Sequence, residues 1–100
     1  MKWLEVIKVR TLYETKNILS YLMAFKGNLG EIRDLKSMEI YTDLATYKDI
    51  TIQLAWENEK TLPYGSESGQ QIVSDLRRYG LVDHTTWLRI KMPGVRCQDN

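Results

Sequence analysis

Ile50-Thr51-Ile52-Gln53-Leu54-Ala55-Trp56-Glu57 is the stretch on which the fold turns. Ile50, Ile52, Leu54 and Trp56 fall on one parity, and Thr51, Gln53 and Ala55 on the other. Alternation over this length, rich in β-branched residues, predicts a strand with one apolar face against a core. Trp56 ends that face just before a polar, turn-rich segment, where a large ring can close a core or floor a pocket. Upstream, residues 38–43 alternate again, with Met38 and Ile40 inward and Glu39 and Tyr41 outward. A short polar joint at 44–49 connects the two strands, which predicts an antiparallel hairpin.

Nearer the amino end, residues 3–10 read as the first strand. Leu4 and Val6 share one parity and Trp3, Ile7 and Val9 the other, so both faces are apolar and the strand suits the middle of a sheet. Thr11-Leu12-Tyr13-Glu14 has the form of a capping box opening a helix with Ile18, Leu22 and Phe25 at i, i+4, i+7. Gly27-Asn28 is expected to end that helix, and residues 29–35 to form a loop with a short helical turn anchored by Ile32 and Leu35. After the breakers Pro63 and Gly65, Ser66 and Ser68 are both candidate N-caps for a second helix carrying Ile72, Val73, Leu76 and Tyr79. Arg77 and Arg78 fall where the helix dipole favours cations, and Gly80-Leu81 resembles a glycine C-cap. The last strand is expected over 84–92, stopped by Pro93-Gly94, with a mobile tail over 93–100 beyond a single domain of residues 1–92.

The order strand, helix, strand, strand, helix, strand predicts an α+β, ferredoxin-like βαββαβ sandwich. Two helices cover one face of a four-stranded antiparallel sheet. The other face carries Trp87 and part of the first strand, an apolar surface that needs a partner. Self-association about a two-fold axis is the commonest solution, so a homodimer is expected, with Trp87 and Arg89 in its interface.

Composition narrows the functional classes. Among 100 residues, 14 basic and 13 acidic side chains leave a net charge of +1, without the basic excess of a nucleic-acid module. The first eight residues are broken by Glu5 and Lys8 before an apolar run matures, so neither a signal peptide nor a membrane span is expected there. The lone Cys97 cannot form an internal disulfide, which points to a reducing, cytoplasmic setting.

Three pieces carry a resemblance to a known family: Ile52-Gln53-Leu54-Ala55-Trp56, Gly65-Ser66 ahead of the second helix, and Tyr79-Gly80-Leu81-Val82-Asp83-His84 leading to Trp87. With the element order, they make the chain similar, over residues 3–91, to the antibiotic-biosynthesis-monooxygenase-like domains of the dimeric α+β barrel superfamily. The resemblance implies a homodimer with sheets packed face to face and a pocket in each subunit between helices and sheet. Some members oxidise electron-rich aromatic or quinol substrates with dioxygen and no cofactor, some degrade haem, and many have no assigned activity. The haem-degrading members need an asparagine early in the first strand and a histidine on the second helix. Here the first strand reads Val6-Ile7-Lys8, and residues 70–79 hold no histidine.

The resemblance therefore implies a cofactor-independent monooxygenase for a small aromatic or quinol-type substrate. The alternative is a non-catalytic dimeric module that binds a small apolar ligand or serves a structural role. Trp56, Leu54, Phe25 and Leu22 are the expected pocket wall, each of which would equally serve as core. His84, the only histidine, is the candidate base, although a lone histidine at a strand start is often satisfied by a neighbour such as Asp83. Tyr64 beside Gly65 is the candidate partner hydroxyl, or else a turn residue. No metal site is expected, because no second histidine exists and the carboxylates lack ligand spacing. Residues 65–69 read as helix capping rather than a phosphate cradle, since no P-loop lysine is present and Glu67 would repel phosphate. Cys97 has no base beside it in the sequence and is a poor nucleophile.

Overall fold

In the computed structural model, which describes residues 1–11, 15–46, 48–60 and 62–91, the alternating stretch forms strand β3 (Asp49–Glu57). Ile50, Ile52, Leu54 and Trp56 are buried while Thr51, Gln53 and Ala55 are half-buried, as a period-2 strand on a one-sided core requires. Strand β1 (Lys2–Thr11) runs antiparallel beside it, with Trp3 opposite Trp56 and Ile7 opposite Ile52. Strand β2 (Leu35–Thr42) pairs with the far edge of β3 as the expected hairpin, and β4 (Gly80–Leu88) pairs with the far edge of β1. The sheet order β2-β3-β1-β4 is antiparallel throughout and places β1 inside, as its two apolar faces suggested.

Helices α1 (Lys16–Lys26) and α2 (Glu67–Leu76) cover one face. They supply Ile18, Leu22, Ile72, Val73 and Leu76 to a core shared with Trp3, Ile7, Val9, Met38 and the inward residues of β3. Full burial of each such aliphatic side chain contributes about 1.5–3 kcal/mol, and this stripe of contacts holds the helices to the sheet. Tyr21 on α1 donates a hydrogen bond of 2.5 Å to Asp75 on α2. Burial, reinforced by that bond, pushes the Tyr21 hydroxyl's pKa well above the ordinary tyrosine range, so the contact is a strut between helices. The architecture is the α+β ferredoxin-like fold.

Several boundaries differ from the sequence expectations. Thr11 is the last residue of β1 rather than a helix cap, and its hydroxyl donates to the Lys48 carbonyl. The rest of the expected capping box, residues 12–14, lies outside the described residues. Of the two candidate caps for α2, Ser66 serves: its hydroxyl accepts the Gly69 N–H. Gly80 does not end a helix in a left-handed turn. Its backbone is extended, with φ 167°, and it opens β4 opposite Thr11. A Cβ there would lie 2.0 Å from the Arg10 carbonyl oxygen, so glycine is needed for strand contact. β4 therefore begins four residues before His84. It also stops at Leu88 instead of running to 92, because β1 offers no partner past its own first residues. The final bond is Arg89 N–H to the Lys2 carbonyl. The expectations for Met92, Pro93-Gly94, Cys97 and the tail lie outside the described residues.

Candidate active site

Pairing register brings Trp3, Glu5, Ile7 and Val9 of β1 onto the helix-covered face. Three of these are apolar. Glu5 is a carboxylate at the centre of the core with no exposed surface. An unpaired charge in that position would cost several kcal/mol, so its surroundings have to compensate.

They do so completely. Trp56 Nε1–H donates to Oε1 at 3.0 Å, and the Ser66 hydroxyl donates to the same oxygen at 2.6 Å. The Ser66 backbone N–H donates to Oε2 at 3.0 Å, and His84 Nε2 lies 2.5 Å from Oε2. Trp56 and His84 are diagonal neighbours of Glu5 on the strands either side: Trp56 pairs with Trp3, and His84 with Ile7. Ser66 caps α2, so the positive end of that helix rests on the carboxylate. Donors surround an acceptor, the arrangement that suits an ionised carboxyl group.

Two glycines make the approach possible. A Cβ on Gly69, in the first turn of α2, would fall 1.9 Å from Glu5 Oε2. Gly65 has φ +91°, the left-handed region, and a Cβ there would fall 2.2 Å from His84 Cε1. Trp56 is fixed on its other side by stacking on Trp3, with ring centroids 5.5 Å apart and planes 14° from parallel.

With Nε2 on the carboxylate, the hydrogen-bond pattern assigns the ring proton to Nε2 and leaves Nδ1 as the acceptor. Nδ1 has no hydrogen-bond partner among the described residues. The His84 side chain keeps 16% of its surface exposed and borders a cavity of about 370 Å³ lined also by Tyr64, Gln70, Val73, Ser74 and Arg77. A second, mostly apolar cavity of about 290 Å³ is lined by Trp3, Lys60, Leu62, Thr86 and Trp87, among others.

The structure distributes the sequence candidates unevenly. Trp56 and His84 meet through Glu5. Tyr64 lines the His84 cavity with its side chain largely in solvent. Leu22 and Leu54 have no exposed surface and Phe25 packs half-buried against the core. None of these three borders either cavity, since Leu22 and Leu54 lie wholly within the shared core and Phe25 packs against it. Trp87 lies exposed on the open face of the sheet, and Arg89 follows β4. Among the described residues, no group of three or more His, Cys, Asp or Glu side chains converges as metal ligands would. No helix among them is long and apolar enough to cross a membrane.

Sequence reasoning missed Glu5, noting it only as a break in an apolar run. Its signal was parity: a carboxylate on the same alternate positions as Trp3, Ile7 and Val9 is a charge committed to the core.

Comparison with known proteins agrees with this architecture. A mutant form of SnoaB, a cofactor-independent oxygenase from Streptomyces nogalater, superimposes with a TM-score of 0.72 at 6% identity over 94% of this chain and 98% of its own. A candidate antibiotic biosynthesis monooxygenase from Deinococcus radiodurans gives 0.68 at 10% identity, over 96% of this chain and 99% of its own. The chain has the same α+β ferredoxin-like fold as these two proteins. Rv0793 from Mycobacterium tuberculosis shares it, with a TM-score of 0.68 at 10% identity over 94% of this chain and all of that one. No family model and no curated protein matches the sequence. At these identities the likeness is one of fold, and the chemistry of this chain has to be argued from its own residues.

Proposed function

We propose that the protein is a cofactor-independent monooxygenase acting on a small aromatic, quinol-type substrate. One observation carries the reading: a buried carboxylate holds His84 at Nε2, Nδ1 has no hydrogen-bond partner among the described residues, and the side chain borders a cavity of about 370 Å³. A histidine held in this way is oriented as a base, and the carboxylate offsets the charge the ring gains on taking a proton. The oxygenase named among the structures of the same fold supports the choice of reaction.

In this scheme Nδ1 takes the hydroxyl proton of the bound phenol, and the electron-rich phenolate reduces dioxygen. One oxygen atom bonds to a ring carbon and the other leaves as water, carrying the hydroxyl hydrogen and the hydrogen displaced from that carbon. The ring supplies the four electrons and leaves as a quinone, so the balance needs only substrate and dioxygen. Val73 provides apolar surface in the cavity. Trp56 acts at a distance, through its hydrogen bond to Glu5.

Oxygen uptake by the purified protein against hydroquinones and dihydroxynaphthalenes tests this. Saturable uptake is expected, with His84→Gln slower by about 10²–10⁴-fold. Glutamine can still donate to Glu5, so the thermal midpoint should move little. Equal rates in the two proteins would remove His84 from the mechanism. The second reading, a non-catalytic ligand-binding or structural module, draws on the full burial of Leu22 and Leu54, which serve as core where a pocket wall was expected. Binding of aromatic compounds without uptake above the buffer rate would establish the binding form of it.

The same reading includes a homodimer. Leu4, Val6 and Ala55 share the helix-free face of the sheet with Trp87, which is 60% exposed. An aromatic side chain beside aliphatic ones on an uncovered sheet suits a two-fold interface. Sedimentation should give twice the chain mass for wild type and the chain mass for Trp87→Glu, with circular dichroism unchanged. A dimeric variant would place the interface elsewhere.

A further inference from the structure

The described lining of the cavity beside His84 holds one fixed charge, that of Arg77. Its wall is a single stripe of α2 and the turn after it, Gln70, Val73, Ser74 and Arg77 at i, i+3, i+4, i+7, closed by Tyr64 and His84. No carboxylate lines it among the described residues. The two adjacent arginines at this end of α2 are used differently. Arg78 donates to the Asp75 carbonyl and lies over the Tyr79 ring. The guanidinium of Arg77 has no hydrogen bond or ion pair among the described residues, and it is the arginine that borders the cavity. Glu5 is sealed in the core with its own donors and makes no ion pair with Arg77. A guanidinium without a partner among the described residues, the apolar Val73 and the held imidazole of His84 thus border one concavity.

We propose that this cavity takes an anionic aromatic substrate, a hydroxylated ring bearing a carboxylate, with Arg77 holding the carboxylate and His84 Nδ1 accepting from the hydroxyl. The inference rests on the functional reading above and narrows its substrate class. The planar guanidinium fork fits a carboxylate through two parallel hydrogen bonds. The aromatic ring would lie between the two polar anchors, on Val73. Arg77 is then a specificity-determining residue and leaves the acid–base chemistry to His84.

Ground-state binding separates this inference from the oxygenase reading. Hydroxynaphthoate isomers and the matching carboxylate-free naphthols would be titrated into the full-length protein, with the His84 ring signals followed by NMR. Hydroxynaphthoates are expected to bind about tenfold more tightly than the naphthols, and Arg77→Met to remove that difference while leaving naphthol affinity unchanged. Arg77→Lys should restore part of the preference, because it keeps the charge without the fork. Equal affinity for both series, with His84 signals shifting in each, would overturn the carboxylate preference and leave the His84 site standing. An equal loss for both series in Arg77→Met would also overturn it, since Arg77 would then serve the ring or its hydroxyl. No shift of the His84 signals with any compound would overturn the inference and the site reading together.

Discussion

Glu5→Ala is expected to destabilise the protein by about 3–5 kcal/mol, measured as a fall in the urea midpoint at constant slope. The alanine would leave the Trp56 indole N–H, the Ser66 backbone N–H and the His84 ring N–H pointing into an emptied space. Each buried donor left without a partner costs about 1–3 kcal/mol, and the void adds to that. A domain of this size holds about 5–15 kcal/mol in all, so the variant should be visibly unfolded at modest denaturant. Glu5→Gln gives the complementary result. It keeps the volume but offers one acceptor oxygen where two served, and its amide hydrogens face existing donors. It should fall between alanine and wild type in stability. It should also free His84 to move its proton to Nδ1, readable in the imidazole nitrogen shifts. A wild-type midpoint in Glu5→Ala would mean that the core can do without the network.

Gly69→Ala carries the second large effect, through sterics instead of charge. The added methyl carbon would lie 1.9 Å from Glu5 Oε2 and 2.3 Å from Glu5 Cδ, both well inside van der Waals contact. Either α2 lifts from the sheet or the carboxylate leaves its donors, and a loss of about 3 kcal/mol or more is expected. Gly30→Ala is the matched control, because nothing lies within 4 Å of its added Cβ and its stability should change by less than about 1 kcal/mol. If Gly69→Ala lost no more than Gly30→Ala, α2 would not be pressed against Glu5 as the structure has it. Together the two variants ask whether the same cluster that orients His84 also anchors the second helix.

What could be read from the residues, and what could not, follows from how each signal is encoded. The alternation of Ile50, Ile52, Leu54 and Trp56 carries its own geometry, because side chains on a strand change face at each residue. The same logic marked β1 as an interior strand from its two apolar faces. The helix stripe of Ile18 and Leu22 was equally legible. Element ends were less so. Gly80 looked like a helix terminator, since a glycine after a helical pattern commonly is one. Its actual reason, close approach to the Arg10 carbonyl across the sheet, is invisible until strands pair.

The site divides in the same way. His84 and Trp56 were visible as residue types able to do chemistry, whereas Glu5 was passed over although its parity with Trp3, Ile7 and Val9 placed it in the core. Which groups would meet it was not written in their spacing. The separations from Glu5 are 51 residues for Trp56, 61 for Ser66 and 79 for His84. The linear pattern of residues was enough to set the order of elements and the face each strand turns inward. It took tertiary contact to bring a helix cap, an indole and an imidazole to that carboxylate together, and to set His84 at the edge of a cavity lined also by Arg77. Side-chain periodicity is local and survives in the chain, whereas a hydrogen-bond network exists only once register and helix docking bring distant residues within about 3 Å.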